Sequence, residues 1–282
     1  MRGSGEGHEP REGKSGDGGA AGETSGVDDS TRVKEAMRAF YASEASERAA
    51  EAWIGEGGSA RVPESRSAHY FIDRKVEEAL RLARLDRENR VLEIGCSFGH
   101  MTFLLAERFR EVVAVDLSRE SIELGRRRAQ HYGIRNVRFQ EADAEDLALF
   151  GPEEFGGVFA FSTLRFCPSP ERALREMQRV LATGGRVVVD VPNKNCPWYG
   201  PLKHFMGIQP HIHDRLFAAA EIRRLLEEAG FSRVLSKHIL FTTKRLPAAA
   251  LPVFRTLDRA LEATPAIRTL SGIVVAAGCK GG

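Results

Sequence analysis

The run Val91-Leu92-Glu93-Ile94-Gly95-Cys96-Ser97-Phe98-Gly99 constrains this chain more than any other stretch. A β-branched, apolar segment stops at a glycine, a short turn follows, and the helix-forming Phe103-Leu104-Leu105-Ala106-Glu107 begins almost at once. Strand, glycine turn and helix N-terminus in that order belong to a parallel α/β sheet, where the turn exposes bare backbone and unsatisfied N–H groups to a ligand. A second strand pattern, Glu111-Val112-Val113-Ala114-Val115, ends in the carboxylate of Asp116. Asp116 lies 21 positions after Gly95, close to the roughly 20 at which an acid reaches a ribose hydroxyl pair. The glycines are spaced G-x-x-x-G with bulky Phe98 between them, which departs from the G-x-G-x-x-G that seats a dinucleotide diphosphate.

The rest of the chain keeps the same alternation. Residues 1–30 hold nine glycines and little apolar material, so a disordered tail is expected. Helical periodicity marks 31–52 and 67–85, then 100–109, 119–132, 170–181, 219–229 and 248–262; strands are predicted at 90–95, 111–116, 136–140, 155–161, 187–191, 231–241 and 272–277. The expected fold class is α/β, a Rossmann-like doubly wound sheet of seven strands with helices on both faces. Arg126-Arg127-Arg128 in the second of the sheet's helices reads as a solvated face. With 41 basic against 39 acidic residues, no electrostatic nucleic-acid binder is indicated. Cys96, Cys167, Cys196 and Cys279 form no C-x-x-C pair, which argues against zinc and against a disulfide framework. No apolar run is long enough for a membrane span, no signal-peptide core is present, and a cytoplasmic setting is expected.

Glu93-Ile94-Gly95-Cys96-Ser97-Phe98-Gly99 resembles motif I of the class I S-adenosylmethionine-dependent methyltransferases, E/D-x-G-x-G-x-G, with Ser97 where the middle glycine usually stands. Asp143-Ala144 after the third strand resembles that family's adenine-binding turn, and Pro192-Asn193 with His213-Asp214-Arg215-Leu216-Phe217 resembles its ubiquinone-biosynthesis subgroup. Two departures stand out: Gly156 replaces the acid of F-D-x-V, and Thr183 replaces the proline of L-x-P-G-G. The resemblance covers about residues 67–279. It implies S-adenosylmethionine as cofactor, an antiparallel last strand, and cofactor contacts at Glu93, Gly95, Cys96, Gly99, Asp116, Leu117, Asp143, Ala144 and Ser162. It also divides the chain into the tail, an N-terminal helical segment or lid over 31–85, and a methyltransferase domain over 86–282 with a loop insertion at 192–213.

Methyl transfer to a hydroxyl needs a proton acceptor, and histidine suits neutral pH. His213, then His211 and His204, are the candidates, all in or beside the loop that also carries Trp198, Tyr199, Phe205 and Met206. Three ligands so close in sequence make a poor metal cage, and none is expected. The expected partner is a small-molecule acceptor, apolar or aromatic, methylated on oxygen; the loop leaves room for a homodimer contact instead of a lid. A catalytically silent cofactor-binding protein and a nicotinamide-dependent reductase are the alternatives. Removing residues 1–30 should leave the melting temperature and turnover nearly unchanged, as differential scanning calorimetry and a methyl-donor assay would show, because the tail has no apolar face to dock.

Overall fold

A computed structural model describes residues 29–50, 65–199, 214–244 and 246–282. Helix α1 spans Asp29–Ala50 and α2 spans Arg66–Ala83. The alternating unit follows: β1 (Arg90–Ile94), α3 (Thr102–Ala106), β2 (Glu111–Asp116), α4 (Arg119–His131), β3 (Val137–Glu141) and β4 (Phe155–Phe161). A single 3₁₀ turn at Leu164–Phe166 leads to α5 (Pro170–Val180) and β5 (Leu181–Pro192). The remaining elements are α6 (Ala219–Glu228), β6 (Phe231–Ile239), α7 (Leu251–Ala263), α8 (Pro265–Arg268) and β7 (Ile273–Lys280).

The seven strands form one sheet in the order β3-β2-β1-β4-β5-β7-β6. Strands β1 to β5 pair in parallel, and β7 runs antiparallel to both β5 and β6. The order reverses at β1, whose neighbours are β2 and β4, so a crevice opens beyond the C-terminal ends of these strands. Period-two alternation sorts the side chains. Leu92, Ile94, Val113, Val115, Val158, Val187 and Val189 pack under α5 and α6, whereas Val91, Val112, Phe159, Val188 and Val275 pack under α2 and the α3 region. Serines start the helices: Ser65, Ser118 and Ser169 each accept a hydrogen bond from the backbone N–H three residues on, at the heads of α2, α4 and α5.

The predicted elements all appear among the described residues, with shifted ends. The helix expected over 100–109 shrinks to α3, flanked by turns. At Gly156, where the acid is missing, a Cβ would lie 2.0 Å from Asn89 Oδ1, the end of a side chain that would have to turn aside. Asn193, from the V-P-N ending, is fully buried and donates to the carbonyls of Thr269 and Ser271, so it ties β5 to the turn before β7. The arginine run is corrected at Arg128, while Arg126 and Arg127 are exposed as expected. Arg126 donates to the Phe139 carbonyl, and Arg128 is wholly buried, donating to the Phe98 carbonyl at 2.6 Å while its guanidinium lies over Phe103. Burial pulls Arg128 down to about 10. A solvated arginine was the expectation because helical periodicity registers the position but not the carbonyl waiting 30 residues away.

Helix α7 carries its polarity inward. Asp258 and Glu262 are buried: Asp258 accepts from the backbone N–H of Phe241 and Thr242, from Thr242 Oγ1 and from Tyr70 Oη, while Glu262 accepts from Arg74 and from Leu240 N–H. These bonds fasten α2 and the end of β6 to α7. Asp258→Ala strands several buried donors at once, so chemical denaturation should show a loss of about 3 kcal/mol or more; a change under about 0.5 kcal/mol would mean that water replaces the carboxylate.

Candidate functional site

The C-terminal ends of β1, β2 and β4 open into a cavity of about 390 Å³, walled by α1 and α2 and by the turn after β3. Its floor is the glycine turn. Gly95 has φ +73°, and a Cβ there would sit 2.2 Å from Thr163 Oγ1, which itself donates to the Ile94 carbonyl. Only glycine fits, for backbone and for space. Ser97, in the family's middle-glycine position, adopts φ +49°. That left-handed backbone explains why glycine is usual there; serine tolerates it at a cost of about 1 kcal/mol.

The strained turn is held by Asp116. One carboxylate oxygen accepts from Ser97 N–H at 2.7 Å and the other from Ser118 N–H at 2.9 Å. Leu117 N–H also donates to this carboxylate, and of its roughly four lone-pair sites at least one remains for a hydroxyl. Burial pushes the Asp116 carboxyl up, while these backbone N–H groups pull it back down. Beside it Glu93 is buried, and its Oε2 has no hydrogen-bonding partner. Burial raises Glu93 to about 8, reinforced by the neighbouring Asp116 charge and opposed by Thr102 and Lys75.

Asp143 lies in the turn after β3, where its Oδ1 accepts from Glu145 N–H. Lys34 of α1 bridges Asp143 at 2.7 Å and Glu145 at 2.9 Å, and so fastens the N-terminal helix across this end of the cavity. At the other end Lys75 of α2 is buried, paired with Asp190 Oδ2 at 2.8 Å and donating to Ser162 Oγ at 2.9 Å. Burial lowers the Lys75 ammonium below the ordinary lysine range, and Asp190 works against that. Ser162 stands at φ +55° at the end of β4, its N–H donating to Asp190.

Of the nine residues expected to touch a cofactor, Glu93, Gly95, Cys96, Asp116, Leu117, Asp143, Ala144 and Ser162 line this one cavity. Gly99 sits just behind it, against Phe103 and Phe139. Burial holds the Cys96 thiol well above its ordinary value, so it packs as an apolar group. His213, His211 and His204 lie outside the described residues. The loop's two described ends meet at Arg165, which pairs with Asp214 and donates to Tyr199 Oη. Lys34, Lys75, Asp190 and Lys244 were not singled out by the sequence, whereas Tyr41, which lines the cavity, falls in the segment expected as a helical segment or lid. Among the described residues, no group of three histidines, cysteines or carboxylates could hold a metal, and no helix is long and apolar enough to cross a membrane.

These residues fit S-adenosylmethionine. The unpartnered buried oxygen of Glu93 matches an ammonium, Asp116 a ribose, the bare backbone at Gly95 a closely approaching chain, and Asp143-Ala144 an adenine edge.

Residues 85–234 match the family model described as a methyltransferase domain. Over 148 residues, half of this chain, the sequence is 28% identical to the ubiquinone biosynthesis O-methyltransferase of Aeromonas salmonicida, and the match spans 62% of that protein. A SAM-dependent methyltransferase of Thermotoga maritima superposes with a TM-score of 0.55 at 22% identity, covering 76% of this chain and 91% of that one. The [4+2]-cyclase SpnF superposes with a TM-score of 0.62 at 19% identity, covering 87% and 95%. At those identities the structural likeness shows the fold.

The Glu93 carboxyl yields a pH-dependent prediction. Between the ordinary glutamate range and about 8 the folded protein keeps a proton that the unfolded chain releases, so stability falls as pH rises through that window. Glu93→Gln removes the penalty: its stability relative to the wild type, both without cofactor, should rise by at least about 1 kcal/mol between about pH 5 and about pH 9. Urea titrations at the two pH values measure this, and a difference independent of pH would contradict the buried, protonated carboxyl.

Proposed function

Since the chain belongs to the methyltransferase domain family through residues 85–234, we propose that it transfers a methyl group from S-adenosylmethionine to an oxygen of an apolar or aromatic small molecule. The observation that carries this reading is the buried Glu93 carboxyl with its unpartnered oxygen, set beside Gly95 and Asp116 in one cavity. The name of the Aeromonas relative supports oxygen as the site of transfer.

When bound, the cofactor supplies an activated methyl carbon on a sulfonium sulfur. The protein's own part is to hold that group and present an acceptor in line with it, an alignment worth up to about 7–11 kcal/mol of a barrier in favourable cases. Glu93 takes the amino group, Asp116 the ribose hydroxyls, and Asp143 with the Ala144 N–H the adenine edge. Cys96, Leu117 and Ser162 complete the contact surface, with Gly99 supporting the turn from behind. Met37, Phe40, Ile72, Met101, Phe161 and Phe166 give the remaining walls an apolar character that suits an aromatic or alkyl acceptor and excludes water. A hydroxyl acceptor must lose a proton, which His213, His211 or His204 would take.

Calorimetry tests the cofactor site directly. Asp116→Ala should weaken S-adenosylmethionine binding by about 1–3 kcal/mol, the cost of stranding the ribose hydroxyls, and S-adenosylhomocysteine but not a nicotinamide dinucleotide should raise the melting temperature. Unchanged affinity in the variant would remove Asp116 from this role. Turnover across a panel of phenols, carboxylic acids and amines then reports the acceptor atom.

A further inference from the structure

Both signs of charge line the cavity: Glu44, Glu93, Asp116, Asp143 and Glu145 are acidic, with Lys34 bridging the last two, and Lys75 and Lys244 are basic. Both ammonium groups approach the same ring: Lys75 Nζ lies 5.8 Å and Lys244 Nζ 5.7 Å from the Phe71 centroid. Lys244 is exposed and has no ion pair among the described residues. Lys75 is buried and spends two of its three protons, on Asp190 and on Ser162, which leaves one N–H for a ligand. Asp190 neutralises one of the two charges, so the lysine pair keeps one positive charge with no ion-pair partner among the described residues.

Both lysines lie outside residues 85–234, while Asp190 and Ser162, the partners of Lys75, lie within them. Two neighbouring cations in the lining, with apolar Ile72, Phe161 and Met101 lining the same cavity, describe a receptor for an anion on an apolar body.

Resting on the methyltransferase reading, we propose that the acceptor is an organic acid, an aryl or alkyl carboxylate whose anionic oxygens are received by Lys75 and Lys244. An oxygen lone pair of the carboxylate forms the new O–C bond while the methyl carbon's bond to sulfur breaks with its electron pair going to sulfur. The products are a methyl ester and S-adenosylhomocysteine, and no proton is released. Such an acceptor arrives already deprotonated near neutral pH, so the lysines act by positioning the anion and no general base is required.

The experiment is calorimetric titration of the full chain, loaded with S-adenosylhomocysteine, with matched pairs of aryl and alkyl acids and their neutral amides, from benzoate and benzamide to decanoate and decanamide. At least one acid should bind about tenfold or more tightly than its amide. Lys244→Met, at an exposed position, should reduce that ratio severalfold, and Lys75→Met should abolish it, with S-adenosylhomocysteine affinity within about threefold of the wild type. If Lys75→Met fails to fold with Asp190 left buried and alone, the double variant Lys75→Met/Asp190→Asn replaces it. No acid preference in any pair overturns the proposal. So does a Lys75→Met variant that loses S-adenosylhomocysteine yet keeps the acid-to-amide ratio, which would assign Lys75 to the cofactor's own carboxylate. Failure of the wild type to bind S-adenosylhomocysteine at all would strike the methyltransferase reading instead.

Discussion

Where β1 ends there is no room for a Cβ. The backbone turns at Gly95 with φ +73° under the hydroxyl of Thr163, and that hydroxyl in turn holds the Ile94 carbonyl. This contact draws the mouth of β4 onto the end of β1. The same turn sends Ser97 N–H to Asp116 and the Phe98 carbonyl to Arg128. Strand, crevice and cofactor cradle are consequences of one place where the chain must come close to itself. A side chain at Gly95 would push apart the elements whose ends make the site.

The sequence was legible where the physics is local or periodic. β-branched runs and the strand–glycine–helix turn leave marks a few residues long, and they located the sheet; the resemblance to the family's motifs picked out nine contacts, of which eight line the cavity. It was illegible where one long side chain reaches across the fold. Lys75 meets Asp190, Lys34 meets Asp143, and Arg128 meets Phe98 over large sequence separations. Their neighbours in sequence give no sign of the partner. Lysine and arginine on a helix read as solvent-facing by default, and the partner's coordinates alone reverse that reading. Asn193, a residue of the V-P-N ending to which the sequence assigned no role, is a staple between β5 and the approach to β7.

The site also illustrates a tension between holding a ligand and holding a fold. Glu93 is buried without a second partner, Lys75 is buried beside a single counter-ion, and Ser97 and Ser162 sit in left-handed backbone. Each raises the free energy of the protein without ligand. The surrounding sheet, with valines, alanines and phenylalanines excluded from water on both faces, tolerates these local costs. A ligand that supplies an ammonium to Glu93 relieves one of them, so binding and folding are coupled through that carboxyl.

Arg165 has a consequence of another kind. Its guanidinium holds both Tyr199 and Asp214, so the chain leaves the mouth of β4 and returns to it at a single point. The turn after β4 therefore shares one anchor with residues 34 and 49 positions further along the chain, and a change at Arg165 would be felt at both while leaving every strand pairing of the sheet as it is.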